Sequence, residues 1–306
     1  ARPARTVVDM RPLLLALAAV LTLAGCSATD EAEPAPAPAP ARTTGSPAAA
    51  PTQFDQYVAL GDSYTAAPLV PPTDTSTICL RSGVNYPALL AEAMPGTELT
   101  DVSCSGASTG NTVRPQAGRT GSVPPQFDAL RPGTDLVTIG LGGNDQQLFG
   151  GTLGSCVRLA PEDPTGSPCT DEASRRELAQ TLETIRGNIA TVVEGVQERS
   201  PRARVLVVGY PQIIPGTGTC DDLPIAAGDY PFARELNQGL NEAVQAGADD
   251  AGVEFVDLWA PSEGHDVCAD EPWINGRVTS AQTALAYHPL ETGTRAVAAL
   301  LLETLS

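Results

Sequence analysis

Five short apolar stretches rich in β-branched residues, at 57–60, 99–103, 136–141, 205–209 and 253–258, recur along the chain with longer helical patterns between them. That alternation predicts a parallel sheet whose strands are joined by helices, an α/β architecture. The helical patterns cover 86–94, 173–198, 232–248 and 290–305. In the last of them Ala296, Val297, Leu300 and Leu301 fall on one face, as expected of a helix that covers a sheet. Gly- and Pro-rich connections at 68–85, 107–126, 150–170 and 213–230 predict long irregular loops. Loops of that length in a folded domain are functional or stapled.

The pattern breaks down before residue 54. An apolar run at 13–23 follows Arg5 and Arg11, too short for a membrane span and of the length of a signal core. It ends in Leu23-Ala24-Gly25-Cys26, small residues before a cysteine, which resembles the lipobox of bacterial lipoproteins. The expectation is a signal peptide over 1–25, lipid attachment at Cys26, and a tether over 26–53. The alternating Pro and Ala at 34–40 cannot form a core and hold the chain extended, with a reach on the order of 80 Å at about 3.1 Å per residue. The rest, 54–306, reads as one folded domain.

Net charge is -18, and all 18 basic residues are Arg. Such a surface excludes nucleic acid as a partner and gives no attraction to anionic lipid. Membrane attachment therefore falls to the anchor at Cys26, which places the domain on the outer face of a bacterial cell membrane. Six further cysteines, Cys79, Cys104, Cys156, Cys169, Cys220 and Cys268, make an even set in an exported chain and point to disulfides. Sequential pairing, 79 with 104, 156 with 169 and 220 with 268, keeps each loop local. None of their spacings suits zinc.

Candidate chemistry starts at Gly61-Asp62-Ser63-Tyr64, where the first apolar stretch ends. In open parallel sheets catalysis gathers at the carboxyl ends of strands, so Ser63 stands where a nucleophile belongs. A nucleophilic serine needs a base, and the chain offers two histidines. His288, followed by Pro289 and the last helix, is placed at a helix N-cap, a rigid mount. His265 has acidic neighbours and reads as a solvated loop residue. Asn144, in Gly142-Gly143-Asn144-Asp145 after the third stretch, can donate to a developing oxyanion, and Gly106, after the second, can offer a backbone N–H. Asp62 and Asp145 read as acids that hold their turns in shape.

In this order the four blocks resemble the SGNH (GDSL) hydrolase superfamily, and within it the secreted actinobacterial esterases and lipases. Cys79-Leu80-Arg81-Ser82, 85–90 and Pro272-Trp273-Ile274-Asn275-Gly276 are similar to segments of that branch. The resemblance implies a flavodoxin-like three-layer α/β/α sandwich with a five-stranded parallel sheet. It implies Ser63 as nucleophile, His288 as base, and the N–H groups of Ser63 and Gly106 with the Asn144 side chain as oxyanion hole. It also implies an ester substrate, acyl lipid or small ester, and no metal or organic cofactor; a monomer is expected. Many members carry Asp three residues before the His, where this chain has Leu285. The main-chain carbonyl of Leu285 is the expected substitute, with Asp266, Asp270 and Glu271 as alternatives. A non-catalytic envelope-binding lipoprotein and an acyltransferase are the competing functions.

Overall fold

The computed structural model describes residues 53–306. The segment read as signal peptide, Cys26 and all but the last residue of the tether lie outside them. In chain order the elements are β1 (Gln56–Gly61), α1 (Ser63–Ala66), α2 (Tyr86–Ala93), β2 (Glu98–Asp101), β3 (Gln116–Gly118), β4 (Gly121–Val123), β5 (Leu136–Gly140), α3 (Leu148–Leu159), α4 (Glu172–Arg199), β6 (Arg204–Val208), α5 (Tyr230–Asp250), β7 (Glu254–Val256) and α6 (Glu291–Leu305).

The main sheet has the order β2-β1-β5-β6-β7, every pair parallel. Side chains alternate across a strand, and here both faces are apolar. Val58, Leu60, Val137, Ile139, Val205 and Val207 pack with Ile185 and Ile189 of α4 and Leu236 and Leu240 of α5. The intervening residues Tyr57, Ala59, Leu136, Leu206 and Val208 pack with Leu90 of α2 and Val297 and Leu301 of α6. The result is the three-layer sandwich, with the central strands β1, β5 and β6 buried on both sides, which is why they read as continuous runs, whereas the edge strands β2 and β7 are partly exposed.

From β1 the chain moves outward to β2 and then returns to the other side of β1 as β5. The sheet therefore changes direction between β1 and β5, and the crevice above their carboxyl ends is the place where such folds bind ligands. Three disulfides join Cys79 to Cys104, Cys156 to Cys169 and Cys220 to Cys268, in the sequential pattern.

Two connections are less irregular than their composition suggests. The 107–126 segment contains the small antiparallel hairpin β3-β4. The 150–170 segment begins inside a helix: α3 includes Gly150, Gly151 and Gly154, residues of low helix propensity. Burial of Leu148 and Cys156, with the bond from Cys156 to Cys169, supplies tertiary support that propensity cannot register.

Candidate active site

The crevice between β1 and β5 is built from tight turns. At the end of β1 the Asp62 N–H donates to the Gly140 carbonyl at 2.9 Å, and the chain turns at once into α1. The Asp62 carboxylate caps that turn by accepting the Tyr64 N–H at 2.8 Å. Gln126 clasps the strand end, accepting from the Gly61 N–H at 2.9 Å and donating to its carbonyl at 2.8 Å. Glycine at 61 and 140 has a packing reason: a Cβ at either position would run into the Thr65 side chain, which fills the space between the two strand ends. Ser63 thus occupies the first helical position, 5 % exposed, and its N–H donates to nothing among the described residues.

Gly106 lies beyond β2. Cys104 ties this segment to β1 by donating its N–H to the Gly61 carbonyl at 3.0 Å, and to residue 79 by its disulfide. Gly106 has φ +79°, a conformation that suits glycine, and its N–H also has no acceptor among the described residues. Asn144, after β5, donates one amide hydrogen to the Ala107 carbonyl at 2.9 Å. Its second amide hydrogen is left for a ligand. The buried Asp145 carboxylate accepts from the Thr109 N–H at 2.8 Å, the Thr109 hydroxyl at 2.6 Å and the Asn188 amide at 2.8 Å, joining these two turns to α4.

His288 reaches the crevice from the other end of the chain. Its Nδ1 lies 2.7 Å from the Ala286 carbonyl oxygen, not from that of Leu285. Tyr287 has φ +60°, and this left-handed residue turns the chain so that the carbonyl two residues before the histidine comes under its ring. The Leu285 carbonyl instead accepts from the His288 backbone N–H at 3.2 Å and the Asn275 amide at 3.1 Å. The N-cap of α6 is Leu290, so His288 precedes the helix rather than capping it. Residues 288–290 run extended beside 273–275, with Asn275 N–H donating to the His288 carbonyl and Leu290 N–H to the Trp273 carbonyl, both at 2.8 Å. Burial lowers the His288 pKa from its ordinary value, and the Ala286 carbonyl opposes that only in part.

The other sequence candidates lie apart from this centre. His265 stacks on Trp273 with ring centroids 4.8 Å apart, its Nδ1 2.7 Å from the Glu271 carbonyl oxygen. Asp266 accepts the Cys268 N–H at 2.8 Å. The single cluster of metal-binding residue types among the described residues, Cys156, Cys169 and Asp229, has both sulfurs committed to a disulfide.

Ser63, Asn144 and His288 line one cleft of about 370 Å³. No hydrogen bond joins Ser63 Oγ to His288, whose Nδ1 contact is with the Ala286 carbonyl. Away from these groups the wall is apolar: Phe149, Leu153 and Val157 of α3 with Gly150 and Gly154 between them, and Leu223 and Tyr287 opposite.

A sequence model of the GDSL-like Lipase/Acylhydrolase family matches residues 59–296. The chain belongs to this family. Lipase 2 of Streptomyces coelicolor is 38% identical over 261 residues, which cover 83% of this chain and 86% of that protein. A lipase of Streptomyces rimosus is 30% identical over 242 residues, 79% of this chain and 83% of its own. Among solved structures, the extracellular lipase of S. rimosus superposes with a TM-score of 0.67 at 27% identity, covering 82% of this chain and 99% of that one. Phospholipase A1 of Streptomyces albidoflavus gives 0.66 at 27% identity, over 83% and 100%. This GDSL-family chain is accordingly an ester hydrolase with the SGNH α/β fold. No helix among its described residues is long and apolar enough to cross a membrane.

Three residues that shape the site carry little sequence signal of their role. Ala286 has no side-chain signal, because its contribution is a carbonyl. Tyr64 and Tyr210 resemble ordinary core aromatics; the one available hint was the position of Tyr64 directly after the Gly-Asp-Ser. Tyr210 Oη donates to Asp62 Oδ2 at 2.6 Å and accepts from the Gly143 N–H at 2.9 Å. Burial raises the Asp62 pKa to about 7, although the Tyr210 hydroxyl and the Tyr64 N–H stabilise its anion.

Proposed function

We propose that this protein is a lipid-anchored carboxylic ester hydrolase of the bacterial envelope, acting on lipid-like esters through an acyl-Ser63 intermediate with a Ser63–His288 dyad. The observation that carries the reading is convergence: Ser63, the free N–H groups of Ser63 and Gly106, the spare Asn144 amide hydrogen and His288 belong to turns at one end of the sheet, beside an apolar cleft.

The Ala286 carbonyl holds the Nδ1–H tautomer of His288, which leaves Nε2 as the base. His288 takes the Ser63 hydroxyl proton as Oγ attacks the ester carbonyl. The carbonyl oxygen gains negative charge opposite the two N–H groups and the Asn144 amide, where donors set in advance stabilise it most. On collapse the imidazolium returns its proton to the departing alcohol. Water, deprotonated by the same nitrogen, then releases the acid and restores Ser63.

The apolar α3 wall favours an acyl chain over a sugar, and the names of the Streptomyces relatives, lipases and a phospholipase A1, agree with that direction. The apolar run at 13–23, Cys26 and the Pro/Ala segment support an exported domain on a lipid anchor. Hydrolysis of a p-nitrophenyl ester series from acetyl to palmitoyl, run beside Ser63→Ala, tests the catalytic reading: activity with a medium or long chain optimum, abolished in the variant, is expected. A folded protein that neither hydrolyses any ester nor labels at Ser63 with a phosphonate would be a binding protein instead. Cys26→Ala is expected to move the enzyme from the membrane fraction to the medium.

A further inference from the structure

We propose that Tyr64 and Tyr210 are positioning residues, whose hydroxyls brace the base loop and the oxyanion turn against the turn that carries Ser63. The inference rests on the catalytic reading above and assigns the parts that keep its three groups in register.

The three turns come from distant parts of the chain and need ties other than sequence. Tyr210, 2 % exposed, follows β6, and its backbone N–H is fixed by the Asn241 side chain at 2.9 Å. Its hydroxyl stands between two of the turns: Oη donates to Asp62, next to Ser63, and accepts from Gly143, next to Asn144. Removing either bond would leave a buried polar group without its partner. A phenylalanine would serve core packing equally well, so the hydroxyl is the part that needs a reason.

Tyr64 extends the brace. Its ring meets Tyr210 edge to face at 5.4 Å and lies 5.7 Å from the His288 ring. Its hydroxyl donates to the Tyr287 carbonyl at 2.8 Å, the oxygen of the peptide that leads into His288. Tyr287 has a left-handed backbone unusual for a bulky residue, a conformation that persists only where surrounding contacts hold it. Two hydroxyls therefore connect nucleophile, oxyanion turn and base. A displacement on the order of 1 Å among such groups costs about a hundredfold in rate.

Tyr210→Phe, Tyr64→Phe and the double variant, compared with wild type and Ser63→Ala, test this. Active sites are titrated with a p-nitrophenyl phosphonate so that rates are counted per folded enzyme. The expected result for each single variant is a kcat lower by roughly tenfold or more with KM within about twofold, and a matching fall in the phosphonate labelling rate, the signature of an interaction used in the transition state. Melting temperature is followed in parallel. Unchanged kcat and labelling rate per titrated site, whether or not the melting temperature drops, would overturn the inference and leave the tyrosines as core. Failure of the wild type itself to label at Ser63 would overturn the catalytic reading and this role with it.

Discussion

The Nδ1 atom of His288 sits 2.7 Å from the carbonyl oxygen of Ala286. A peptide carbonyl fixes tautomer and ring orientation as a carboxylate does, yet it is a dipole and stabilises the imidazolium less. It also cannot be removed by exchanging a side chain. Asp266→Asn, Asp270→Asn and Glu271→Gln are therefore expected to keep kcat/KM within about twofold, while His288→Ala loses roughly a thousandfold or more. Steady-state hydrolysis of p-nitrophenyl butyrate reads both. A large loss in a folded acidic variant would return the carboxylate to the mechanism.

The environment of His288 also sets a pH profile. Burial disfavours the imidazolium and lowers its pKa, and in the proposed mechanism His288 acts as base only when neutral. Activity should thus hold from neutral pH downward and fall only below the ordinary histidine value of about 6.5. Asp62, with a pKa raised to about 7, titrates close by, so the profile of kcat/KM is best measured in wild type and Asp62→Asn together. An acid limb below 6.5 that survives in the variant belongs to His288; a limb above it in both would refute the effect of burial.

What the sequence disclosed and what it hid follow from physical range. The apolar stretches announced β1, β5 and β6 because central strands buried on both faces must be apolar throughout, while the edge strands β2 and β7, with Glu98, Thr100 and Glu254 exposed, gave a weaker signal. The placement of the candidate groups Ser63, Gly106 and Asn144 after strands of the sheet was legible, because it is a local property. Residues whose role lies in a long-range contact were not: the Tyr210 hydroxyl acts on Asp62 and Gly143, far away in sequence. The choice of Ala286 over Leu285 depends on the backbone of Tyr287, which a tyrosine in sequence does not advertise. Helix α3 was hidden by its glycines.

Asp62 links the site to stability. Its folded pKa, about 7, lies above the unfolded value near 3.9, so between these pH values the folded chain holds more protons than the unfolded one. Stability from this group is then fully present below about pH 4 and is lost as pH rises through about 7. Tyr64, Tyr86, Tyr210 and Asp145 surround it, and none supplies a compensating positive charge. Asp62→Asn should flatten this part of the pH dependence, so that wild type loses more stability than the variant between pH values of about 5 and 8. Urea midpoints at the two pH values measure it; equal losses would place the Asp62 pKa near its unfolded value.

On the proposed function, chain-length preference is a property of one helical face, the α3 wall. Gly150 lies in the cleft wall, and a Cβ there meets nothing within 4 Å, so a larger side chain can be placed on this wall without displacing a neighbour. Gly150→Leu should lower the ratio of kcat/KM for long over acetyl esters by roughly tenfold, a difference of about 1.4 kcal/mol in transition-state binding. The same exchange removes a glycine from the first turn of α3, which favours folding by at most about 1 kcal/mol. Gly187, exposed on α4 and equally free of neighbours, provides the control: Gly187→Ala should gain similar helix stability without altering the ratio. A ratio unchanged in Gly150→Leu would mean that acyl chains leave Ser63 by another route.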